Sequence, residues 1–536
     1  MKRKIISGKT GFEIEDLPGT SKSFITEPGD RLILPIDSGC RFDVSEDFPD
    51  IVGAHRFNSR SMTLGMILLE RNGDYLALVP EDTVGAGCRI YKNGAELLEA
   101  AVTSQGEILE LPGTLREIIA AYRKLRGNLR VTLDEKSKRL PELERLSRST
   151  IVYVWQDDYE KLMYSNKDEK VSVRNPDGIL NIARKLKADG IDDVMFGIFF
   201  KSDQPAVNEL RKLGYMASKY DNYNDVPPAD LCEILPETRI NECDYLKHRI
   251  GDYPDKILTT AGGSLATAWQ LDGLDGKRHS QYTMCPLCAV EAMKKEIPEE
   301  IKGADYAARF IDVFGTGLAE CHSESHSFTL RESVGIKRSA FEFLTDIGLI
   351  PGTEDGCEAL ASAVCYNEGI ASPVFFRYDW REAGRKKARL YETHEAAEWF
   401  RKYMLNPEYR FPLWELCWRD SVISYPYWGD SLLCCQEVTP ERILMAALFA
   451  EPPLYSFFEK DFEKLEGLIV ESYNKIREVL CAVGNLPMTD FGRVGDGLYR
   501  SEFGGKVSVF ANFTSEEKRF ENVRVAGMGF EVVGHS

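Results

Sequence analysis

Two acidic residues in this sequence each close an apolar run and open a glycine-bearing turn, a setting in which a carboxyl group can do chemistry. Asp312 lies in ARFIDVFGTG, directly after an apolar run and before a glycine-bearing loop. Glu354 lies in LIPGTEDGCEAL, again in a glycine-flanked turn that ends an apolar run. Cleavage of a glycosidic bond with net retention needs such a pair. One carboxylate attacks the anomeric carbon; the other gives a proton to the leaving oxygen and later takes one from water. Both residues also have structural readings. An Asp after a strand can cap a helix or order a loop, and a Glu in a first helical turn is favoured by the helix dipole. Asp355 competes with Glu354 for its role.

Other polar or aromatic residues follow apolar runs: Asp157, Asp221, Tyr223, Asp420 and Trp428. Acids and aromatics dominate, a mixture suited to sugars, because ring faces stack on C–H surfaces and carboxylates accept from hydroxyls. Tyr223, Trp269, Trp418 and Trp428 are the candidate stacking platforms, and each is also readable as core packing. The stretch AECHSESH (319–326) sets His322 and His326 four residues apart, with Cys321 and Glu324 beside them, a spacing able to hold a transition metal. It lacks HExxH order and reads better as a polar loop. YTMCPLC carries one CxxC, Cys285 and Cys288, which by itself reads as a buried thiol pair. No Ser-His-Asp or phosphate-loop pattern is present.

The elements that would position these residues change character along the chain. Residues 1–145 hold short β-type runs such as RLILPI and DYLALVP, punctuated by Gly, Asp and Pro, which predict an N-terminal β-sandwich. TLREIIAAYRKLRG (114–127) then has helical spacing. From about 150 strands and helices alternate, with strand-like runs at 149–158, 192–200, 215–225, 308–314, 347–355, 370–379 and 412–422. This order predicts a central (β/α)8 barrel over 146–440, with its chemistry at the C-terminal ends of the strands. No GxGxxG follows an early strand, which lowers the alternative of an open doubly wound sheet. Residues 441–536 predict a long helix (461–483) and a small C-terminal β-domain.

The chain has 536 residues, 43% apolar and 28% charged, with a formal net charge of −18. An acidic surface argues against nucleic-acid and anionic-membrane partners and leaves a neutral or cationic small molecule. The N-terminus has no apolar signal core, no run approaches membrane-spanning length, and 13 scattered cysteines suit a reducing compartment. A cytoplasmic location is therefore expected. Oligomeric state is unreadable.

Several segments together resemble glycoside hydrolase family 129, the α-N-acetylgalactosaminidases, and more distantly family 101. They are YRKLRGNLRVTLDEKSKRLPELERL (122–146), KYDNYND (219–225), FIDVFGTGLAECHSESHSFTLRE (310–332), GTEDG (352–356), FPLWELCWRDSVISYPYW (411–428) and the C-terminal VSVFANFTSEE. The resemblance implies Asp312 as nucleophile, Glu354 as acid/base, and Trp418 and Asp420 in the sugar pocket. It also implies that a calcium ion can be bound, with no ligands placed for it here. The expected activity is exo-hydrolysis of α-linked GalNAc-type glycans with retention. Another α-glycosidase, such as an α-galactosidase or an enzyme for a different amino sugar, is one alternative. A non-catalytic carbohydrate-binding barrel and a metal-dependent hydrolase using Cys321, His322 and His326 are others.

Overall fold

The computed structural model describes residues 5–6, 13–14, 19–46, 51–158, 173–369, 398–428, 432–433 and 436–535. Its centre is eight strands in one sheet: β1 (Thr150–Trp155), β2 (Val194–Ile198), β3 (Met216–Asp221), β4 (Ala308–Ile311), β5 (Ile350–Glu354), β6 (Tyr366–Glu368), β7 (Ile423–Tyr425) and β8 (Leu454–Phe458). They lie in the order β7-β6-β5-β4-β3-β2-β1-β8 with every pair parallel, a sheet nearly closed into a (β/α)8 barrel.

Strands covered on both faces read as continuous apolar runs, and β1 (TIVYVW) is buried at every position. Alternation along the strands divides the side chains between two cores. Tyr153, Trp155, Met195, Met216, Phe310, Tyr366 and Tyr425 fill the barrel interior. Val152, Val154, Phe196, Ile198, Ile311 and Phe457 face the surrounding helices. A β-carbon on Gly352 would meet the Tyr366 ring at 2.0 Å, so glycine is what lets that ring cross the interior, where its hydroxyl lies 2.9 Å from Ser218 Oγ. Among the outer helices, Leu330–Asp346 starts from a reciprocal cap in which Thr329 and Glu332 satisfy each other's backbone N–H groups.

Upstream, a four-stranded and a five-stranded antiparallel sheet share one apolar core, as a sandwich requires. Downstream, the helix Phe462–Val483 leads to a four-stranded antiparallel sheet, Met488–Gly495, Leu498–Phe503, Val507–Asn512 and Gly529–Gly534. No helix among the described residues is long and apolar enough to cross a membrane.

Three details depart from the sequence expectations, and one expected strand falls outside the described residues. Residues 412–422 do not form a strand: Leu413–Trp418 is a helix buried at every position, and all-round burial removed the periodicity that would have revealed it. The expected strand at 370–379 lies outside the described residues, and β6 forms just before it. The eighth strand lies beyond residue 440, so the barrel runs past the boundary expected there. A small antiparallel sheet, Asp225–Val226, Arg278–Thr283 and Thr267–Asp272, is inserted between β3 and β4.

Candidate active site

Strand register brings the acids together. Asp221 pairs with Ile311, Ile311 with Thr353, Glu354 with Glu368, and Glu368 with Tyr425. Asp312, one residue past Ile311, is therefore level with Glu354 on the next strand, and Glu354 is level with Glu368 on the one after. All three carboxyls are buried at the C-terminal mouth of the barrel. The Asp312 and Glu354 side chains are hydrogen-bonded to each other.

The backbone turns sharply just after each of these two residues. Val313 has φ 55° and Asp355 φ 58°, left-handed conformations that L-residues avoid and β-branched valine most of all. Such strain costs about 1–3 kcal/mol per residue and gathers at functional sites. The FGTG loop is held against β5: a β-carbon on Gly315 would meet Asp355 O at 2.4 Å. From behind, the buried Lys337 ammonium donates to Phe314 O at 3.3 Å and Thr316 O at 2.6 Å.

Donors surround Asp312. Asn222 Nδ2 donates to Asp312 Oδ2 at 3.0 Å and to Asp225 Oδ2 at 3.1 Å, and the Tyr220 hydroxyl also bonds Asp312. Burial, with the carboxyls of Glu354 and Asp225 close by, pushes Asp312 well above the usual aspartate range. Two carboxyls in contact share one proton more readily than either would hold it alone. Burial also pushes Glu368 up to about 8, even though Trp428 Nε1 and the Tyr153 hydroxyl (3.0 Å) both donate to it. Trp428 packs with Tyr153, Tyr220 and Phe310, ring centroids 5.7–5.8 Å apart, as an aromatic layer at the acids. From the N-terminal sandwich, Arg60 reaches within 3.7 Å of Glu354 and 3.3 Å of Asp355.

Of the residues singled out in the sequence, Asp312, Glu354 and Trp428 come together here. Asp157 sits at the end of β1, exposed, and accepts from Lys460 N at 2.9 Å. Trp269 stands 44% exposed on the inserted sheet. Asp221 and Tyr223 point to the outer side of β3. Arg309 and Lys219 hold Asp221 down to about 2 against the effect of burial, and Arg249 covers the Tyr223 ring at 4.8 Å. Trp418 and Asp420 are not brought to the mouth. They precede β7, at the barrel's opposite end, where Trp418 is fully buried and Asp420 is clamped by Arg123 at 2.6 Å and by Arg130. Sequence reading missed Tyr220, Asn222, Glu368, Tyr153 and Arg60. Alternation along KYDNYND was the available signal, since positions 220 and 222 share one face and 219, 221 and 223 the other.

Among the described residues, one group of three or more His, Cys, Asp or Glu ligand atoms lies within 4.8 Å: Cys285, Cys321 and His326. Thiols and an imidazole are not the oxygen-rich set calcium prefers.

A nearly closed parallel barrel with paired carboxyls and aromatic rings at its mouth has the construction of a glycoside hydrolase. Residues 185–494 match the family described as glycosyl hydrolases related to the GH101 family, GH129. That span is more than half the chain, and the chain belongs to this family. Similar solved structures include α-N-acetylgalactosaminidase NagBb from Bifidobacterium bifidum. Its GalNAc complex is 17% identical with TM-score 0.66, covering 94% of this chain and 80% of that one. Its Gal-NHAc-DNJ complex is 16% identical with TM-score 0.67, covering 95% and 80%. The GH36 α-galactosidase AgaA from Geobacillus stearothermophilus is 11% identical with TM-score 0.50, covering 96% and 75%. At such identities the likeness is one of fold. No curated protein sequence matches the chain.

Proposed function

We propose that the protein is a retaining exo-α-glycosidase acting on α-linked N-acetylgalactosamine, with Asp312 as nucleophile and Glu354 as acid/base. The observation that carries this reading is the hydrogen-bonded Asp312–Glu354 pair at the mouth of a GH129 barrel. An inverting pair stands about 6.5–9.5 Å apart to admit a water between acid and sugar, and a retaining pair about 5–5.5 Å. The close approach of the two carboxyls is the feature that supports the retaining reading, and a sugar seated between them must part them. With the sugar in place, the shared proton belongs on Glu354, next to the leaving oxygen. Asn222 and Tyr220 hold the Asp312 carboxylate for attack on the anomeric carbon. Departure of the aglycone with the Glu354 proton leaves a glycosyl ester on Asp312. Glu354 then takes a proton from water, and the hydroxide breaks that ester.

The choice of sugar is supported by the similarity to NagBb, which is recorded with GalNAc. The similarity to an α-galactosidase fold keeps galactose as the sugar to test beside it. Asp312→Asn and Glu354→Gln should be assayed on aryl α-GalNAc and α-galactoside substrates with good leaving groups. Glu354→Gln should show a burst of aryl release and then stall, while Asp312→Asn should be inactive in both phases. Normal turnover by Asp312→Asn, or a β-configured first product in the wild type by NMR, would remove this mechanism.

A further inference from the structure

Four side chains with no part in the sugar chemistry converge beside the loop that follows β4. Cys285 precedes the helix Pro286–Glu300 and Cys288 lies in its first turn; Cys321 and His326 lie in the loop between β4 and the helix Leu330–Asp346. All four are buried, none more than 9% exposed. The ligand atoms of Cys285, Cys321 and His326 lie within 4.8 Å of one another, and Cys321 Sγ is 3.4 Å from His326 Nδ1. The Cys288 thiol, hydrogen-bonded to that of Cys285, lies at the edge of this cluster as the nearest fourth donor. With Zn–S at about 2.3 Å and Zn–N at about 2.05 Å, the S···N edge of a tetrahedron is about 3.6 Å. The Cys321–His326 separation is close to that edge, and rotation of the Cys288 side chain toward the other three would supply the fourth corner.

The surroundings prepare these atoms as ligands. His326 Nε2 lies 3.0 Å from Asp255 O. A carbonyl only accepts, so Nε2 carries the proton and Nδ1 turns its lone pair toward Cys321. The backbone N–H groups of Leu287 and Cys288 donate to Cys285 Sγ. The loop is closed on itself by the reciprocal Cys321–Phe328 backbone bonds, both 3.0 Å, and joined to the inserted segment by His322 N donating to Thr259 O at 2.9 Å. The His322 ring stays outside the group, half exposed and 3.2 Å from Glu320.

We infer that Cys285, Cys288, Cys321 and His326 form a closed Cys3His site for a structural zinc ion. Thiolate and imidazole donors select zinc over calcium or magnesium, and four protein ligands leave no open position for catalysis. The ion would fasten the insertion between β3 and β4 to the loop that runs on from Asp312. It is a scaffold for the mouth of the barrel, independent of which sugar the mouth accepts.

The test is the metal content of the full-length protein, purified under reducing conditions without chelator. About one zinc per chain is expected in the wild type and in a Cys481→Ser control at an exposed cysteine. Less than about a tenth of that is expected in Cys285→Ser/Cys321→Ser. If the double variant does not fold, zinc is stripped from the wild type with a thiol-directed mercurial and cobalt(II) is added after the thiols are restored. Thiolate-to-cobalt charge transfer with strong tetrahedral visible bands, abolished by zinc, supports the site. Wild-type protein that carries no zinc and gives no such bands overturns it. So does zinc retained in the double variant, or a Cys285–Cys288 disulfide in the reduced preparation.

Discussion

The two ends of the barrel treat buried charge in opposite ways. At the N-terminal end Asp420 is gripped by Arg123 and Arg130, and the buried Lys136 ammonium donates to Ala361 O, Val364 O and Ser421 O at 2.6–2.7 Å. At the C-terminal end Asp312, Glu354, Asp225 and Glu368 crowd together, and Arg60, its side chain 43% exposed, comes within 3.7 Å of Glu354. One end is neutralised and holds the strands in place. The other keeps buried carboxyl groups close at a cost in stability, an arrangement that shifts proton affinities and serves acid–base chemistry.

That contrast can be broken from either side. The largest effect is expected from Asp312→Asn, which should lower kcat by about 10⁴-fold or more while leaving Tm unchanged or raised, since one of the crowded acids is gone. A clear fall in Tm would make Asp312 a structural residue. Next comes Lys136→Met, which strands three carbonyls. It should cost roughly 3 kcal/mol in denaturant unfolding and change kcat of the folded protein by less than about twofold. A large kcat effect with normal stability would erase the distinction between the ends.

Glu368→Gln sharpens the comparison through pH. Glu368 is raised from 4.5 to about 8 by burial, so between those values the folded chain keeps a proton that the unfolded chain releases. Its contribution to stability is full below about 4.5 and is lost as pH rises towards 8. The Gln variant should therefore lose less stability than wild type between about pH 5.5 and 8, by roughly 3 kcal/mol. Part of the slope should persist through Glu415, also pushed up to about 8 by burial. Identical slopes would show that Glu368 does not hold its proton. Arg60→Ala should have the smallest effect: about fivefold in kcat/KM, with stability changed by less than about 0.5 kcal/mol because the side chain is largely solvated. No change in kcat/KM would remove the sandwich from the site.

What the sequence revealed and concealed follows from the period of a strand. The β/α rhythm from 150 onward and the acids at 312 and 354 were legible because apolar runs end there in polar residues. Which polar residue faces inward was not, since one step along a strand turns a side chain to the other face. Asp221 and Tyr223 were chosen where Tyr220 and Asn222 point to the acids. Asp420 and Trp418 looked like strand-end residues because FPLWELCW is apolar apart from Glu415, yet Leu413–Trp418 is a buried helix that precedes its strand. Glu368 ends a strand of three residues, too short to stand out. The convergence of CPLC with CHSESH depends on an inserted sheet that brings segments more than thirty residues apart into contact.

The assignment of roles is tested most directly by azide rescue of Glu354→Ala on an aryl α-GalNAc substrate. If Asp312 is the nucleophile, azide should attack the glycosyl ester in place of water, restore turnover, and give the α-glycosyl azide by NMR. A β-glycosyl azide would make Glu354 the nucleophile, and no rescue would mean that Glu354 is not the acid/base.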